Sequence, residues 1–239
     1  MVAFSESGEG ARGGPIVYLR ETNGAPAVTL GQGVYPSFAP DEQSVVAVNG
    51  SSIFIYPVGP GETKHLSLPH FNIRAAGLLP DGRRIWFNGN EGSHAVRLYL
   101  TDIYAATPRA LSPEGVQSAR VSLVLADKYL AGRSRSGLRL YPVDGGDSLP
   151  VPTAPDEVVS VAGSAADGRT LFLASLTIPS KIYRLDVKTG KADVITEAAP
   201  PDRAGILGGM IVQMTPDGNS YAYSYPQELS ELQWIEGLR

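Results

Sequence analysis

The sequence has no cysteine, which excludes disulfide bonds, thiolate metal ligands and a cysteine nucleophile. Its three histidines offer little for a histidine-based metal site. No segment approaches the ~18 consecutive apolar residues of a membrane helix. The N-terminus, Met1–Glu6, lacks the basic and apolar regions of a signal peptide. From the chain alone we therefore expect neither membrane insertion nor an export signal.

Charged residues are also scarce, at 18% of the sequence against about 25% in average globular domains. The 20 lysines and arginines and 24 acidic residues give a formal net charge of -4. This balance argues against a nucleic-acid partner. Glycine and proline, by contrast, are abundant, with 27 and 19 residues, which indicates many turns and short elements.

One pattern recurs along the chain: an alternating run, then Pro-Asp-Gly or a relative of it, then a β-rich run. Asp and Gly suit a tight turn, because the Asp side chain bonds its own backbone and Gly adopts positive φ. Successive turn aspartates are 40 to 50 residues apart, close to the length of a propeller blade. They are Asp41, Asp81, Asp127, Asp167 and Asp217.

A second β-rich run belongs to each unit, and most copies precede a glycine-containing turn such as Asn23-Gly24 or Thr189-Gly190. Each unit therefore reads as four short strands, a-b-c-d, in a meander. Such a sheet cannot bury both faces alone, so the units must pack on one another. The sequence predicts an all-β fold, a β-propeller of about six four-stranded antiparallel blades.

We expect one propeller domain over residues 1–239. Its blades span approximately 1–32, 33–70, 71–115, 116–153, 154–200 and 201–239. The first blade lacks its a-strand, and the last lacks its d-strand after a c-strand at Leu232–Ile235. Either the ends pair to close the ring, or the chain is a segment of a longer protein, which we favour. The tail also fits a short amphipathic helix through Leu229, Leu232, Ile235 and Leu238.

Two motifs have structural explanations. Gly8–Gly13 matches the letters of a phosphate-binding glycine loop, but a strand follows it and the kinase motifs are missing, so we interpret it as a b–c loop. Turn chemistry explains the aspartate series without a metal. The sequence has no Gly-x-Ser-x-Gly elbow and no His-Glu-x-x-His. We expect no catalytic residue, metal ligand or cofactor.

The candidate site follows from the topology. The b–c and d–a loops of a propeller share one face, and loops are where binding residues concentrate. Arg133 and Arg135 lie in one b–c loop and could pair with a carboxylate or phosphate. We predict that residues of the long b–c loops bind the ligand: Glu9, Arg12, Asn88, Asn90, Glu91, His94, Arg133 and Arg135.

The Pro-Asp-Gly units resemble the repeats of TolB-like propellers, a branch of the tryptophan–aspartate repeat superfamily. The stretch Thr215–Tyr225, running on to Glu236-Gly237-Leu238, resembles the C-terminal end of a group of bacterial serine/threonine protein kinases. Those kinases are of the eukaryotic type and carry a propeller behind the kinase and a membrane helix. Val96–Tyr99 and Leu111–Val116 fit the same resemblance. It implies an extracytoplasmic sensor or protein-interaction module, although this chain has no kinase motif.

The leading hypothesis is a monomeric, non-catalytic module that binds a protein, a peptide or a small ligand. Two alternatives are enzymatic. One is a metal-dependent hydrolase or lactonase, which needs acidic or amide residues converging at the inner a-strands. The a-strands at Val34–Phe38 and Ala75–Leu79 offer mainly apolar and small residues instead. The other is the propeller of a prolyl-peptidase-like enzyme, which gates access to a separate hydrolase domain.

Overall fold

The structure is a computed structural model that describes residues 1–6, 14–104, 107–152 and 159–228. Within these ranges all the regular secondary structure is β-strand, arranged in six sheets. This confirms the predicted all-β class. The chain divides into two compact units, Met1–Ser118 with Asp127–Pro150, and Ala119–Ala126 with Val151–Arg239. The assignment of one domain to residues 1–239 stays a prediction.

The first unit contains the sheets that precede residue 118 and the later strands of the fourth sheet. The first sheet has the order β1-β2-β3, with β1 (Val2–Glu6), β2 (Ile16–Arg20) and β3 (Val28–Gln32). The second is β4 (Val34–Phe38), β5 (Ser44–Asn49), β6 (Ser52–Pro57) and β7 (Lys64–Ser67). The third is β8 (Phe71–Leu78), β9 (Arg84–Glu91), β10 (Arg97–Asp102) and β11 (Arg109–Ala110). The fourth is β12 (Gln117–Val124), β13 (Tyr129–Ser134), β14 (Gly137–Pro142) and β15 (Leu149–Pro150).

The second unit contains most of β12 and the remaining two sheets. The fifth is β16 (Val159–Ser164), β17 (Thr170–Ser175), β18 (Ser180–Asp186) and β19 (Ala192–Ala198). The sixth pairs β20 (Ile211–Met214) with β21 (Tyr221–Ser224). The first sheet has three strands, as predicted for a first blade that lacks its a-strand. The strand or helix predicted for the tail after Glu228 lies outside the described residues, as does the Gly8–Gly13 loop.

The turns between the first and second strands of a sheet form as predicted. The carboxylates of Asp41, Asp81, Asp167 and Asp217 each accept a hydrogen bond, of 2.8 to 3.0 Å, from the backbone N–H two residues later. The N–H groups of Arg169 and Thr170, with the Thr170 hydroxyl, lower the pKa of Asp167. These four aspartates therefore have a local structural role, which confirms the turn interpretation.

The turn at Asp127 is built differently. Leu125, Ala126 and Asp127 have φ values of 54°, 56° and 60°, a left-handed conformation that non-glycine residues rarely adopt. The half-buried Asp127 carboxyl shows no hydrogen bond within the described part of the chain, and burial raises its pKa. The charged carboxylate therefore disfavours the folded state at neutral pH.

We expect Asp127→Asn to stabilise the protein at pH 7, because asparagine tolerates the same backbone conformation and carries no charge. A raised folded-state pKa means that the aspartate costs stability above its titration range, and this cost disappears as the pH falls. The gain should therefore shrink as the pH falls through the raised pKa and be absent below about pH 4, the ordinary carboxyl pKa. Urea unfolding at pH 7 and pH 3 measures it. Destabilisation at pH 7 would show that the carboxylate has a favourable role.

The core of the first unit lies between neighbouring sheets. Apolar residues of the second and third sheets form one cluster, in which the Phe87 and Tyr99 rings stack at 4.9 Å between centroids. The Phe71 ring meets both edge-on, at 5.4 and 5.1 Å. A second cluster joins Val17 of the first sheet to Val45 and Tyr56 of the second. These three sheets therefore depend on one another for burial, as predicted for repeated blades.

The second unit has a core of the same kind. Phe172 and Ile182 of the fifth sheet are buried against Val212 and Met214 of the sixth. Backbone also approaches closely: a Cβ at Gly163 would lie 2.9 Å from the Met214 carbonyl oxygen. The two sheets are therefore packed at short range.

Thr101 on β10 is the one side chain in the described ranges with a buried polar atom that lacks a hydrogen-bond partner, its Oγ1. The residue is only 4% exposed. We expect Thr101→Val to raise the free energy of unfolding by about 1 kcal/mol, because it replaces the unpaired hydroxyl with a methyl group of similar size. Urea denaturation measures the change, with Thr22→Val on an exposed turn as the control. A loss of stability would mean that the hydroxyl is satisfied.

Candidate functional site

The predicted site residues fall into four places. Glu9 and Arg12 lie outside the described residues. Asn88, Asn90 and Glu91 belong to β9, which continues to Glu91, so their expected position in a loop is wrong. The physical reason is that Phe71 and Asn72 of β8 pair with Glu91 and Asn90 and extend the strand. The loop between β9 and β10 therefore begins at Gly92.

Asn88 has a structural role. Its side chain is 3% exposed, and Nδ2 donates to the carbonyl oxygens of Arg97 and Val116, at 3.0 and 3.1 Å. The amide thus connects β9 to the next strand and to the segment before β12. Asn90 is half-buried and donates from Nδ2 to the Gly92 carbonyl oxygen at 2.8 Å, so it shapes the turn that follows β9.

Glu91 and His94 line one side of a groove of about 590 Å³. The other lining residues are Pro69, His70, Gly92 and Ser93. Pro69 and His70 belong to the d–a connection before β8, whereas Gly92–His94 form a b–c loop. For this pair of loops the structure confirms the expectation that d–a and b–c connections share a face.

One backbone hydrogen bond joins the two loops, and a second one shapes the b–c loop. The Gly92 N–H donates to the His70 carbonyl oxygen at 2.9 Å, and the His94 N–H donates to the Glu91 carbonyl oxygen at 3.0 Å. Gly92 has a φ of 53°, which glycine adopts without steric cost. The backbone of the groove is therefore fixed, while the side chains of His70, Glu91 and His94 are exposed.

Glu114, which the sequence analysis missed, orients one of these side chains. His94 Nδ1 lies 3.0 Å from Glu114 Oε1, and the Ala95 N–H donates to Oε2 of the same carboxylate at 3.2 Å. The Ala95 N–H and then His94 lower the pKa of Glu114. This carboxylate therefore stays charged at neutral pH and holds the imidazole beside the groove.

The two arginines of the predicted site do not line this groove. Arg133 is half-buried at the end of β13, and Arg135 is exposed in the two-residue connection to β14. Ser134 and Ser136 bond to each other there, with 2.7 Å between their hydroxyl oxygens. The structure therefore brings together Glu91 and His94 of the predicted site and adds His70. The sequence could have indicated His70, because it lies on a d–a connection.

A second depression, of about 390 Å³, lies at the first sheet. Val2 and Phe4 of β1 line it, together with Arg20 and the c–d turn through Thr22 and Gly24. This turn is at the end of β2, away from the loops of the b–c and d–a class. It therefore offers no support for the predicted binding face.

Two kinds of site are not found in the described part of the chain. No group of three or more His, Asp or Glu side chains there is arranged to hold a metal ion. No helix long and apolar enough to cross a membrane occurs in it either.

Four-stranded meanders joined by repeated turns, with neighbouring sheets sharing a core, define a β-propeller, and comparison with solved structures confirms this fold. TolB from Acinetobacter baumannii superposes with a TM-score of 0.67 at 17% identity, over 96% of this chain and 64% of that one. An Agrobacterium tumefaciens protein assigned as TolB gives 0.65 at 15% identity, over 84% and 74%. An oligogalacturonate lyase in complex with manganese gives 0.64 at 17% identity, over 87% and 64%.

These similarities establish a TolB-like β-propeller fold. The chain spans about two thirds of the length of the Acinetobacter TolB and of the lyase. One of the three structures is an enzyme, so the fold is compatible with both catalytic and non-catalytic proteins. No family model matches the sequence, and no curated protein matches it.

Proposed function

We propose that this chain is a non-catalytic binding module that holds a peptide segment of a partner protein in the groove at His70, Glu91 and His94. The observation that carries the proposal is the groove itself, where two loops fixed by backbone hydrogen bonds expose three polar side chains. The groove has a volume of about 590 Å³ and is open to solvent. The hydrogen-bonded backbone favours binding, because the loops themselves need little ordering when a ligand binds.

The charges of the groove favour a ligand with a basic group. Glu91 contributes a carboxylate at the rim, and Glu114 adds a second one beside His94. A lysine, an arginine or an N-terminal amine of the ligand would pair with Glu91. The histidines supply ring nitrogens that donate to or accept from peptide groups. These features match a peptide better than an apolar metabolite.

The resemblance of residues 215–225 to the end of receptor-type serine/threonine kinases supports a place in a longer signalling protein. In that setting, ligand binding to an extracytoplasmic propeller would bias the activity of a kinase domain. For the metal-dependent alternative, the described residues offer no cluster of ligands.

The test is selection of a random dodecapeptide library on the immobilised protein, followed by affinity measurement on variants. We expect the selected peptides to bind His70→Ala/Glu91→Gln/His94→Ala at least tenfold more weakly than the unaltered chain. The control is Gln43→Ala/Glu62→Gln, which alters exposed residues of an a–b and a c–d turn. Its affinity should be unchanged. Equal binding to the groove variant and the unaltered chain would contradict the proposal, as would a library that yields no binding peptide.

A further inference from the structure

The first strands of the second and third sheets each contain a β-bulge. On β4, Val34 pairs with Val48 and Ser37 pairs with Val46. Two residues of β4, Tyr35 and Pro36, therefore stand opposite a single residue of β5. On β8, Ile73 pairs with Gly89 and Ala75 with Asn88, so Arg74 is extra. Bulges re-aim side chains and are common beside functional sites. Both bulges leave a large polar side chain exposed.

Tyr35 holds an unusual backbone conformation. Its φ of 53° lies in the left-handed region, where a bulky residue is an outlier. Pro36 follows it, and a residue before proline favours an extended backbone, which makes the conformation less favourable still. The Tyr35 side chain is 65% exposed, so core packing does not compensate for the strain. Such strain points to a function for the side chain.

A hydrogen bond joins the two strands that carry the bulges. Ser37 Oγ donates to the Ala76 carbonyl oxygen at 3.0 Å, which joins β4 to β8. Tyr35 and Arg74 each stand two positions before one residue of this contact. In the described residues, neither the Tyr35 hydroxyl nor the Arg74 guanidinium has a hydrogen-bond or ion-pair partner.

Gly89 makes the second bulge possible. A Cβ at this position would lie 2.5 Å from the Asn72 carbonyl oxygen and 3.2 Å from the Ile73 Cα. Both atoms are backbone, so the clash could be relieved only by moving β8. Only glycine allows β8 to approach β9 this closely just before Arg74. Gly89, the cross-strand partner of Ile73, therefore supports the bulge that leaves Arg74 exposed.

We propose that Tyr35 and Arg74 form a binding site for a carboxylate group. The planar guanidinium presents paired N–H donors that match the two oxygens of a carboxylate. The Tyr35 hydroxyl adds a further donor. One arginine and a neutral tyrosine supply a single positive charge, which suits a carboxylate better than a phosphate of about -1.5 to -2. This site goes beyond the proposed groove, because it uses other residues and the opposite ligand charge.

The test is isothermal titration of the full chain with hexaglutamate in 0.15 M salt, where screening over about 8 Å suppresses long-range attraction. We expect Arg74→Gln to weaken binding at least tenfold and Tyr35→Phe to weaken it about threefold. The control, Arg203→Gln, removes another exposed arginine and should leave the affinity unchanged. Melting temperatures verify that each variant is folded.

Two further probes separate the ligand sources. Glutarate at equal carboxylate concentration tests a small dicarboxylic acid against an acidic peptide, and binding by either supports the site. Phosphate that competes as well as glutarate would overturn the carboxylate assignment. No binding of hexaglutamate or glutarate to the unaltered chain would overturn the proposal, and so would an equal loss in Arg74→Gln and Arg203→Gln.

Discussion

Replacing Phe87 by alanine is expected to lower the free energy of unfolding by about 3–5 kcal/mol. Phe87 is fully buried, and its ring contacts those of Phe71 and Tyr99 in the core between the second and third sheets. The substitution removes the apolar surface of the ring and leaves a cavity. The cavity persists because the closely packed residues around it can move only slightly to fill it. Urea unfolding followed by far-ultraviolet circular dichroism measures the loss.

The matched control is Tyr104→Ala. Tyr104 is 74% exposed, and its ring contacts the Lys64 ammonium group at 6.0 Å, a weak interaction at an exposed site. We expect this variant to lose no more than about 1 kcal/mol. If Phe87→Ala lost as little as the control, the packing of the second sheet on the third would be contradicted.

Asn88→Asp is expected to destabilise the protein at pH 7 by at least about 3 kcal/mol, although it changes only one group of atoms. The Asn88 amide donates to two carbonyl oxygens in a buried position. A carboxylate there has no proton to donate, and it places negative charge against two acceptors. Both carbonyl groups would also lose their donor.

The pH dependence of the stability of Asn88→Asp tests whether the buried charge causes the destabilisation. Burial and the two carbonyl oxygens raise the pKa of the introduced carboxyl in the folded state. The folded state then binds its proton more tightly than the unfolded state, so the destabilisation should decrease as the pH falls through this pKa. The control is Asn90→Asp, two residues along β9, where the amide is half-buried and has one partner. Equal losses in both variants would show that Asn88 has no special structural role.

The turns were the most predictable part of the fold. The chemistry of Asp81-Gly82 and Asp167-Gly168 is local, since the carboxylate bonds to the backbone two residues away. Regular spacing of such turns, with alternating runs between them, was enough to predict four-stranded blades. Asp127 shows the limit, because its turn uses three consecutive left-handed residues that no sequence pattern indicated.

The extent of β9 could not be predicted from composition. Asn88-Gly89-Asn90-Glu91 has the residues of a loop, but pairing with β8 keeps it in the sheet. The same long-range pairing buries Asn88, which removes it from any binding surface. Sequence alone describes the residue types of this segment, whereas the partner strand decides its structure.

Only part of the candidate site could be predicted, because some of its contacts join residues that are distant in sequence. Topology placed the b–c and d–a loops on one face, and the groove at His70 and His94 follows from that rule. Glu114 could not be assigned to it, because the residue reaches His94 across 20 positions of sequence. The bulges at Tyr35 and Arg74 depend on strand register, which the alternating pattern does not reveal.

The central claim is that the face formed by the d–a and b–c loops binds the ligand. Amide hydrogen exchange of the chain with and without its tightest selected dodecapeptide tests this claim most directly. The account predicts slower exchange on binding at His70–Asn72 and Gly92–Ala95, with no change at the turn Asp41–Gln43. Protection confined to Asp41–Gln43 or to the other a–b turns, with the groove unchanged, would contradict it.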